Sequence, residues 1–412
     1  DPINANLLFL GTDDGLYISL DAGNKWMKWT AGFPTVSTKD LVIQSREHDL
    51  VIGTFGRAAW VLDDIRPLRA MANGNILAKN LQLFTPPTAY QAAYQQPTGS
   101  RFGGDALFNG ENKRSGAMIS YYINKPAAAK EEKKEKETSR KKKRKGTKKM
   151  EASIVKKELA SEVKFDSIKL EIFEGSRLIR TLKQKAPKEN GIHRMYWSMN
   201  EKGADRPSRK IRKRTNEPRG VSVKPGTYNL KMSFGNQTSE SSIKVEFDPR
   251  LEMSTEAITE IYNASKDMEK DQQLMADVVK QLVESKNTAT AFKKDLAKED
   301  KKNYKDQIKA SKDIITKIDK LIAVYIGSVD KRQGITRNPE VTVSRRYSSA
   351  RRYVGSRFGN LTTTEKQLIS QYKKALETAI NKTNAFFETD WKKYKTTLET
   401  IRISPFKEVQ KF

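Results

Sequence analysis

The chain of 412 residues contains no cysteine and only two histidines, His48 and His193. The absence of cysteine excludes disulfide bonds and thiolate metal sites. With only two histidines, we do not expect a multi-histidine metal centre or a histidine relay. No run approaches the roughly 20 uninterrupted apolar residues that a membrane-spanning helix needs. We therefore expect no cofactor, no metal site and no transmembrane segment.

Acidic residues are also scarce, since 78 Lys and Arg face 50 Asp and Glu and leave a formal charge of +28. Three polar stretches carry most of the excess: residues 130–149 (+8), 206–219 (+6) and 331–357 (+7). Charge alone gives non-specific, salt-sensitive attraction to nucleic acid. The motif RKKKRK at 140–145 contains no aromatic residue for base stacking, so we do not expect nucleic acid as a partner.

The first 70 residues contain an internal repeat. Gly11-Thr12 and Gly53-Thr54 lie 42 residues apart, each between two apolar segments that we interpret as strands. Repeats of about 40 residues built from short strands are typical of β-propeller blades. The second copy has an extra strand before it, at 39–45, whereas the first copy has none. Because a propeller needs about four to eight blades to close, we expect the chain to be the C-terminal part of a larger protein or one chain of a split one.

The sequence SLDAGNKW connects two of these strands with the spacing S-x-D-x-G-x-x-W. We expect Ser19 or Asp21 to bond turn amides, Gly23 to adopt a positive φ and Trp26 to bury its ring under the hairpin. The motif resembles the Asp-box of bacterial neuraminidase repeats, which occurs in sialidases and sortilin-type propellers. The resemblance implies that these four residues build the fold and lie far from any catalytic centre.

GTFGRAAWVLDDIRPL at 53–68, followed by LFTPPTAY, resembles the end of the propeller in large exported bacterial Asp-box proteins, which are often labelled glycosyl hydrolases. The resemblance implies a β-sandwich and a helical tail after the propeller, and export to the periplasm, the outer membrane or the medium. The blades that the strand count leaves missing would come from the same polypeptide or from another chain.

Alternating segments predict six strands between 116 and 248, at 117–123, 167–173, 177–182, 191–198, 226–234 and 241–247. They indicate an immunoglobulin-like or fibronectin-like sandwich with Trp197 in its core. The highly charged residues 127–160 are predicted to be a solvated insertion, and residues 71–115 a connecting segment.

Helical spacing begins after residue 249 and predicts three helices that pack as an antiparallel bundle over 250–412. Ser254 or Thr255 caps the first helix, and Thr362 with Glu365 forms a capping box for the third. Between the second and third helices we predict a basic loop at 327–361. There arginine alternates with tyrosine, which suits an anion or a partner, although the loop is equally able to dock on the preceding domains. The candidate residues are Arg345, Arg346, Tyr347, Arg351, Arg352 and Tyr353.

The fold class is therefore multidomain β plus α: the end of a propeller, a sandwich and a helical bundle. The favoured function is a non-enzymatic scaffold of the bacterial cell envelope that binds a protein or polysaccharide. The alternative is a sialidase-like glycoside hydrolase whose active site lies mostly in the missing blades. In that case Arg57 would bind a ligand carboxylate, and Asp63 or Asp64 would act as acid or base; the competing interpretation is that both aspartates terminate a strand.

Overall fold

The computed structural model describes residues 1–92, 114–125, 165–211, 214–329, 340–356 and 359–401. It is a mixed β and α protein with curled sheets and a helical C-terminal region. The chain divides into two compact units. The sheet unit comprises Asp1–Glu201 and Val223–Leu251, and the helical unit comprises Lys202–Ser222 and Glu252–Phe412. The basic insertion predicted at 127–160 lies outside the described residues.

The N-terminal part of the sheet unit contains two antiparallel sheets of three strands each. The first consists of β1 (Leu8–Thr12), β2 (Gly15–Ser19) and β3 (Met27–Lys28), and the second of β4 (Thr38–Gln44), β5 (Asp49–Thr54) and β6 (Ala59–Leu62). One core joins them, because Leu16 and Ile18 of the first sheet pack in the same buried cluster as Leu50 and Ile52 of the second. Helix α1 (Arg66–Ala72) follows and adds Leu68 to that cluster.

Each copy of the 42-residue repeat contains the two strands predicted for it, β1 and β2 in the first copy and β5 and β6 in the second. The additional strand predicted at 39–45 is β4. The two sheets come close where β1 passes β4. A Cβ on Gly11 would lie 2.8 Å from Cγ2 of Thr38, so this position has no room for a side chain.

Two further sheets complete the sheet unit. Their strands are β7 (Leu81–Leu83), β8 (Ala89–Gln91), β9 (Ala117–Ile123), β10 (Ser167–Glu174), β11 (Arg177–Lys185), β12 (Gly191–Trp197), β15 (Gly226–Phe234) and β16 (Gln237–Phe247). One sheet has the order β11-β10-β15-β16-β8, with β8 parallel to β16, and the other has the order β12-β9-β7. All six strands predicted between 116 and 248 are present. The short strands β7 and β8, and β13 (Asn200–Lys202) and β14 (Arg219–Ser222), were not predicted.

Residues of both these sheets fill one hydrophobic core. The prediction that Trp197 belongs to the core is confirmed, because its side chain is fully buried and packs edge-to-face on Tyr228 with ring centroids 5.5 Å apart. Its indole N–H donates to the carbonyl of Asn200 at 2.8 Å, so burial leaves no polar group unpaired.

The helical unit contains α2 (Thr255–Glu299), α3 (Lys305–Ile326), α4 (Val343–Val354), α5 (Thr363–Phe386) and α6 (Lys392–Glu399), with a π-helical turn at Phe387–Trp391 before α6. Both predicted caps are present. Ser254 accepts from the Ala257 amide at 3.1 Å, and Thr362 forms the capping box with Glu365. The prediction of a basic loop over 327–361 is wrong for residues 343–354, because they form α4. The structure therefore describes more helices than the three predicted.

The buried apolar residues of the helices pack in one shared core. Two hydroxyl pairs are satisfied inside it, Tyr325 with Thr383 and Ser311 with Tyr394, each at 2.9 Å. None of the described helices is long and apolar enough to cross a membrane.

Candidate functional site

Helix α4 forms within a basic stretch because its apolar residues recur at helical spacing. Val343, Tyr347, Ala350 and Val354 fall on one face and are all buried. The side chain of Thr342 caps the helix by accepting from the Arg345 amide at 3.1 Å. The arginines therefore project from the remaining faces of an ordered helix rather than from a loop.

A groove of about 650 Å³ runs along α4 in the helical unit. Two of its arginines, Arg351 and Arg352, come from α4, and a third, Arg206, comes from the segment before β14. No Asp or Glu is among the described residues that line it. These residues are Arg206, Pro207, Gln272, Met275, Ile326, Ser344, Tyr347, Ser348, Arg351, Arg352, Gly355 and Ser356.

Gln272 on α2 joins the two basic segments of the groove. Its side chain is 6% exposed, and its Nε2 donates to the carbonyl oxygens of Ala204 and Asp205, both at 3.1 Å. Its Oε1 accepts from Nη1 of Arg351 at 3.4 Å. One buried amide thus fixes the backbone that carries Arg206 and also contacts an arginine of α4.

Tyr347 forms part of the groove floor and is only 6% exposed. Its ring meets that of Tyr372 edge-to-face with centroids 5.5 Å apart, and the Tyr372 hydroxyl donates to Oδ2 of Asp271 at 2.8 Å. Burial raises the pKa of Tyr347, and burial together with Asp271 raises the pKa of Tyr372. Both phenols stay neutral near pH 7, so the groove keeps the positive charge of its arginines.

The structure brings together three of the six candidate residues predicted in this stretch: Tyr347, Arg351 and Arg352. Arg346 instead lines a second groove of about 380 Å³ beside Lys374 and Lys382. Arg345 and Tyr353 line neither of these two grooves, and Tyr353 is 49% exposed.

Arg206 was not singled out from the sequence as a site residue. The only signal was its place in the basic stretch 206–219, which gave no indication of which arginine faces a cavity. Its position follows from tertiary contacts, because Asp205 is held by Gln272 and also donates its amide N–H to Oε1 of Gln273 at 2.9 Å.

The SLDAGNKW turn has the hydrogen bonds expected from its motif. Ser19, which is fully buried, accepts from the Gly23 amide at 2.9 Å and donates to Oδ1 of Asp21 at 2.9 Å. The Lys25 amide donates to the same carboxylate oxygen at 2.8 Å and lowers the pKa of Asp21. Gly23 has φ +92°. These hydrogen bonds of the Ser19 side chain close the turn, which is the geometry of a fold element.

The expected burial of Trp26 is wrong, because its side chain is 40% exposed. Its indole lies over the turn itself, where a Cβ on Gly23 would be 3.8 Å from Cζ2 of Trp26. Trp26 immediately precedes β3, an outer strand of its three-stranded sheet, so the ring covers the turn from the surface.

The three residues of the glycosidase alternative do not converge. Arg57 is exposed and precedes β6, whereas Asp63 and Asp64 follow it. Strand β6 has four residues, and at about 3.3 Å per residue it alone separates Arg57 from the two aspartates by ~13 Å. Asp64 is 3% exposed and accepts from Nε of Arg66 at 2.5 Å. Its backbone amide donates to Oδ1 of Asp49 at 2.8 Å, as expected of a residue that ends a strand.

Within the described ranges, no group of three or more His, Asp or Glu side chains is arranged to hold a metal ion. Comparison of the chain with protein-family models, with curated proteins and with solved structures finds no match. The geometry of the chain itself therefore carries the functional argument.

Proposed function

We propose that this chain is a non-enzymatic interaction protein whose N-terminal sheets are two wedges at the end of a β-propeller, followed by a β-sandwich and a helical bundle. In this proposal it belongs to the exported Asp-box proteins of the bacterial cell envelope and binds a protein or polysaccharide. Support comes from the SLDAGNKW turn and from two sheets that share a core. The observation that carries the proposal is a row of valines on the opposite face of the second sheet.

Val42, Val51 and Val61 are direct neighbours across β4, β5 and β6, so their side chains lie on one face. The adjacent register positions, such as Leu41, Ile52 and Trp60, point to the other face and pack in the shared core. Val42 is 55% exposed and Val61 is 57% exposed. Both faces of this sheet are thus apolar at the centre, but only one of them is covered by described residues.

A sheet that is apolar on both faces is typical of a layer with neighbours on each side. The covered face of this sheet is packed against another three-stranded sheet. We therefore propose that a further sheet of the same kind packs on the face that carries Val42, Val51 and Val61. The same polypeptide or another chain would supply that sheet.

A photo-crosslinking amino acid at Val42, introduced in cells that express the gene, tests this assignment. We expect crosslinks to a strand segment that carries its own S-x-D-x-G-x-x-W turn, identified by mass spectrometry. The matched control is Leu178 on β11, which is 48% exposed and should not give the same crosslink. Crosslinks from Val42 to the same face of a second copy, or none above the Leu178 control, would contradict the propeller proposal.

The glycoside hydrolase alternative remains a prediction without support from a specific contact. Arg57 and Asp64 lie at opposite ends of β6, and Asp64 is already paired with Arg66. Assays of the full-length protein on a panel of glycans, with released sugar as the readout, test that alternative directly.

A further inference from the structure

We propose that the groove along α4 binds an organic phosphomonoester, with the phosphate between the guanidinium groups and the organic part over the apolar floor. This site lies in the helical unit and is independent of the proposal for the N-terminal sheets.

The charge of the groove favours an anionic ligand. The groove joins two of the three basic stretches of the sequence, since Arg206 and Arg352 are 146 positions apart and line the same space. The guanidinium groups of these two arginines form no ion pair or hydrogen bond with another residue in the part of the chain that the structure describes. Guanidinium groups without a carboxylate partner in a shared concavity favour an external anion, which they bind through paired N–H donors.

The site is also held in place before a ligand arrives. Arg351 contacts Oε1 of the buried Gln272, and the same side chain holds the carbonyls of Ala204 and Asp205 beside Arg206. Arg209 adds a second tie by donating to the carbonyl of Gly327 at the end of α3. Because these contacts are made within the protein, the backbone on both sides of the groove needs little further ordering on binding.

The composition of the groove distinguishes the ligand from a bare anion. Met275, Ile326 and Tyr347 provide an apolar floor, and Ser344, Ser348 and Ser356 add hydroxyl groups. A volume of about 650 Å³ is in the range of small-molecule sites, roughly 300–1,000 Å³. Three guanidinium groups match a phosphomonoester, which carries about −1.5 to −2 charges at pH 7, better than a singly charged carboxylate.

The test is isothermal titration calorimetry of the whole chain with phenyl phosphate, inorganic phosphate and benzoate. We expect phenyl phosphate to bind more tightly than either, because it alone engages both the arginines and the floor. R352Q and R206Q should each weaken phenyl phosphate binding by about tenfold or more. The matched control is R346Q, which removes the same charge from α4 but on the side of the second groove, and it should change the affinity less than about twofold.

A second experiment measures binding to phosphatidylcholine vesicles that contain phosphatidic acid, because the headgroup of phosphatidic acid is also a phosphomonoester. Binding to vesicles that R352Q abolishes and R346Q preserves would identify the lipid as the source, whereas binding to phenyl phosphate alone would identify a soluble ligand. Circular dichroism melting of each variant checks that it folds. Equal losses in R352Q and R346Q, or no preference for phenyl phosphate over inorganic phosphate, would overturn the proposal.

Discussion

The side-chain amide of Gln272 donates to the carbonyl oxygen of Ala204 at 3.1 Å, across 68 residues of sequence. This contact attaches an irregular basic segment to α2, the longest of the described helices. It therefore determines where Arg206 lies and makes Gln272 the structural centre of the groove.

Replacing Gln272 with leucine should loosen that segment. Q272L keeps a side chain of similar size but leaves the carbonyls of Ala204 and Asp205 without their donor, which costs about 1–3 kcal/mol. We expect faster amide hydrogen exchange of the segment around Asp205 and a lower melting temperature. The control is K270A on the same helix, which removes only an exposed ion pair with Asp267 and should have a smaller effect. Unchanged exchange in Q272L would contradict the positioning role.

The SLDAGNKW turn predicts a local effect of S19A. The buried Ser19 hydroxyl accepts from the Gly23 amide at 2.9 Å, and alanine leaves that N–H without its acceptor. We expect the Gly23 amide to exchange faster and the sheet unit to lose about 1–2 kcal/mol of stability. N24A removes only an exposed bond to the Asp21 carbonyl and serves as the control. Equal exchange rates at Gly23 in both variants would disprove the structural role of Ser19.

The substitution D64N distinguishes a structural role of the Asp64 carboxylate from a catalytic one. Asp64 has φ +50°, a conformation that asparagine also tolerates, so the substitution changes the charge with little backbone strain. The half-buried Arg66 loses its ion-pair partner, and we expect a loss of about 1–2 kcal/mol in urea unfolding. The same change at Asp63, which is less buried, should cost less. A D64N protein of unchanged stability that loses glycan hydrolysis would favour the enzyme alternative.

Tyr121 predicts a pH dependence of stability in the alkaline range. Burial raises its pKa to about 12, despite the hydrogen bond from Gln184, which acts in the opposite direction. The unfolded chain loses the phenolic proton near pH 10, so the stabilising contribution is complete below about pH 10 and disappears as the pH rises towards 12. The slope is at most about 1.4 kcal/mol per pH unit.

Urea unfolding between pH 9 and pH 11, compared with Y121F, measures this contribution. The lysines titrate in both proteins, so the difference between them isolates Tyr121. Above pH 10 we expect the unfolding free energy of the unsubstituted protein to fall relative to that of Y121F. The exposed Tyr90 provides the control, since Y90F should follow the unsubstituted protein. A constant difference across the range would contradict the burial effect.

The sequence was sufficient to predict long elements with a clear period. Strand β9 has the bounds predicted from its alternation, and the capping box at Thr362 begins α5 as expected. Strands β7 and β8 have three residues each, too few to show alternation. β8 is defined by its parallel pairing with β16, a contact distant in sequence.

The candidate groove was predictable only in part. The alternation of arginine and tyrosine drew attention to Tyr347, Arg351 and Arg352, but the high charge obscured the apolar spacing that makes this stretch a helix. Arg206 joins the site through Gln272, and no local pattern reports a contact between residues so far apart in the chain.

The most direct test of the account is chemical crosslinking in this cysteine-free chain, where introduced thiols are the only ones present. A short bismaleimide should link R206C to R352C within one molecule, because both residues line the same groove. It should not link R206C to R346C, because Arg346 lines the second groove. Efficient crosslinking of the first pair alone is the predicted result. Equal crosslinking of both pairs, or none in either, would contradict the convergence of the two basic segments.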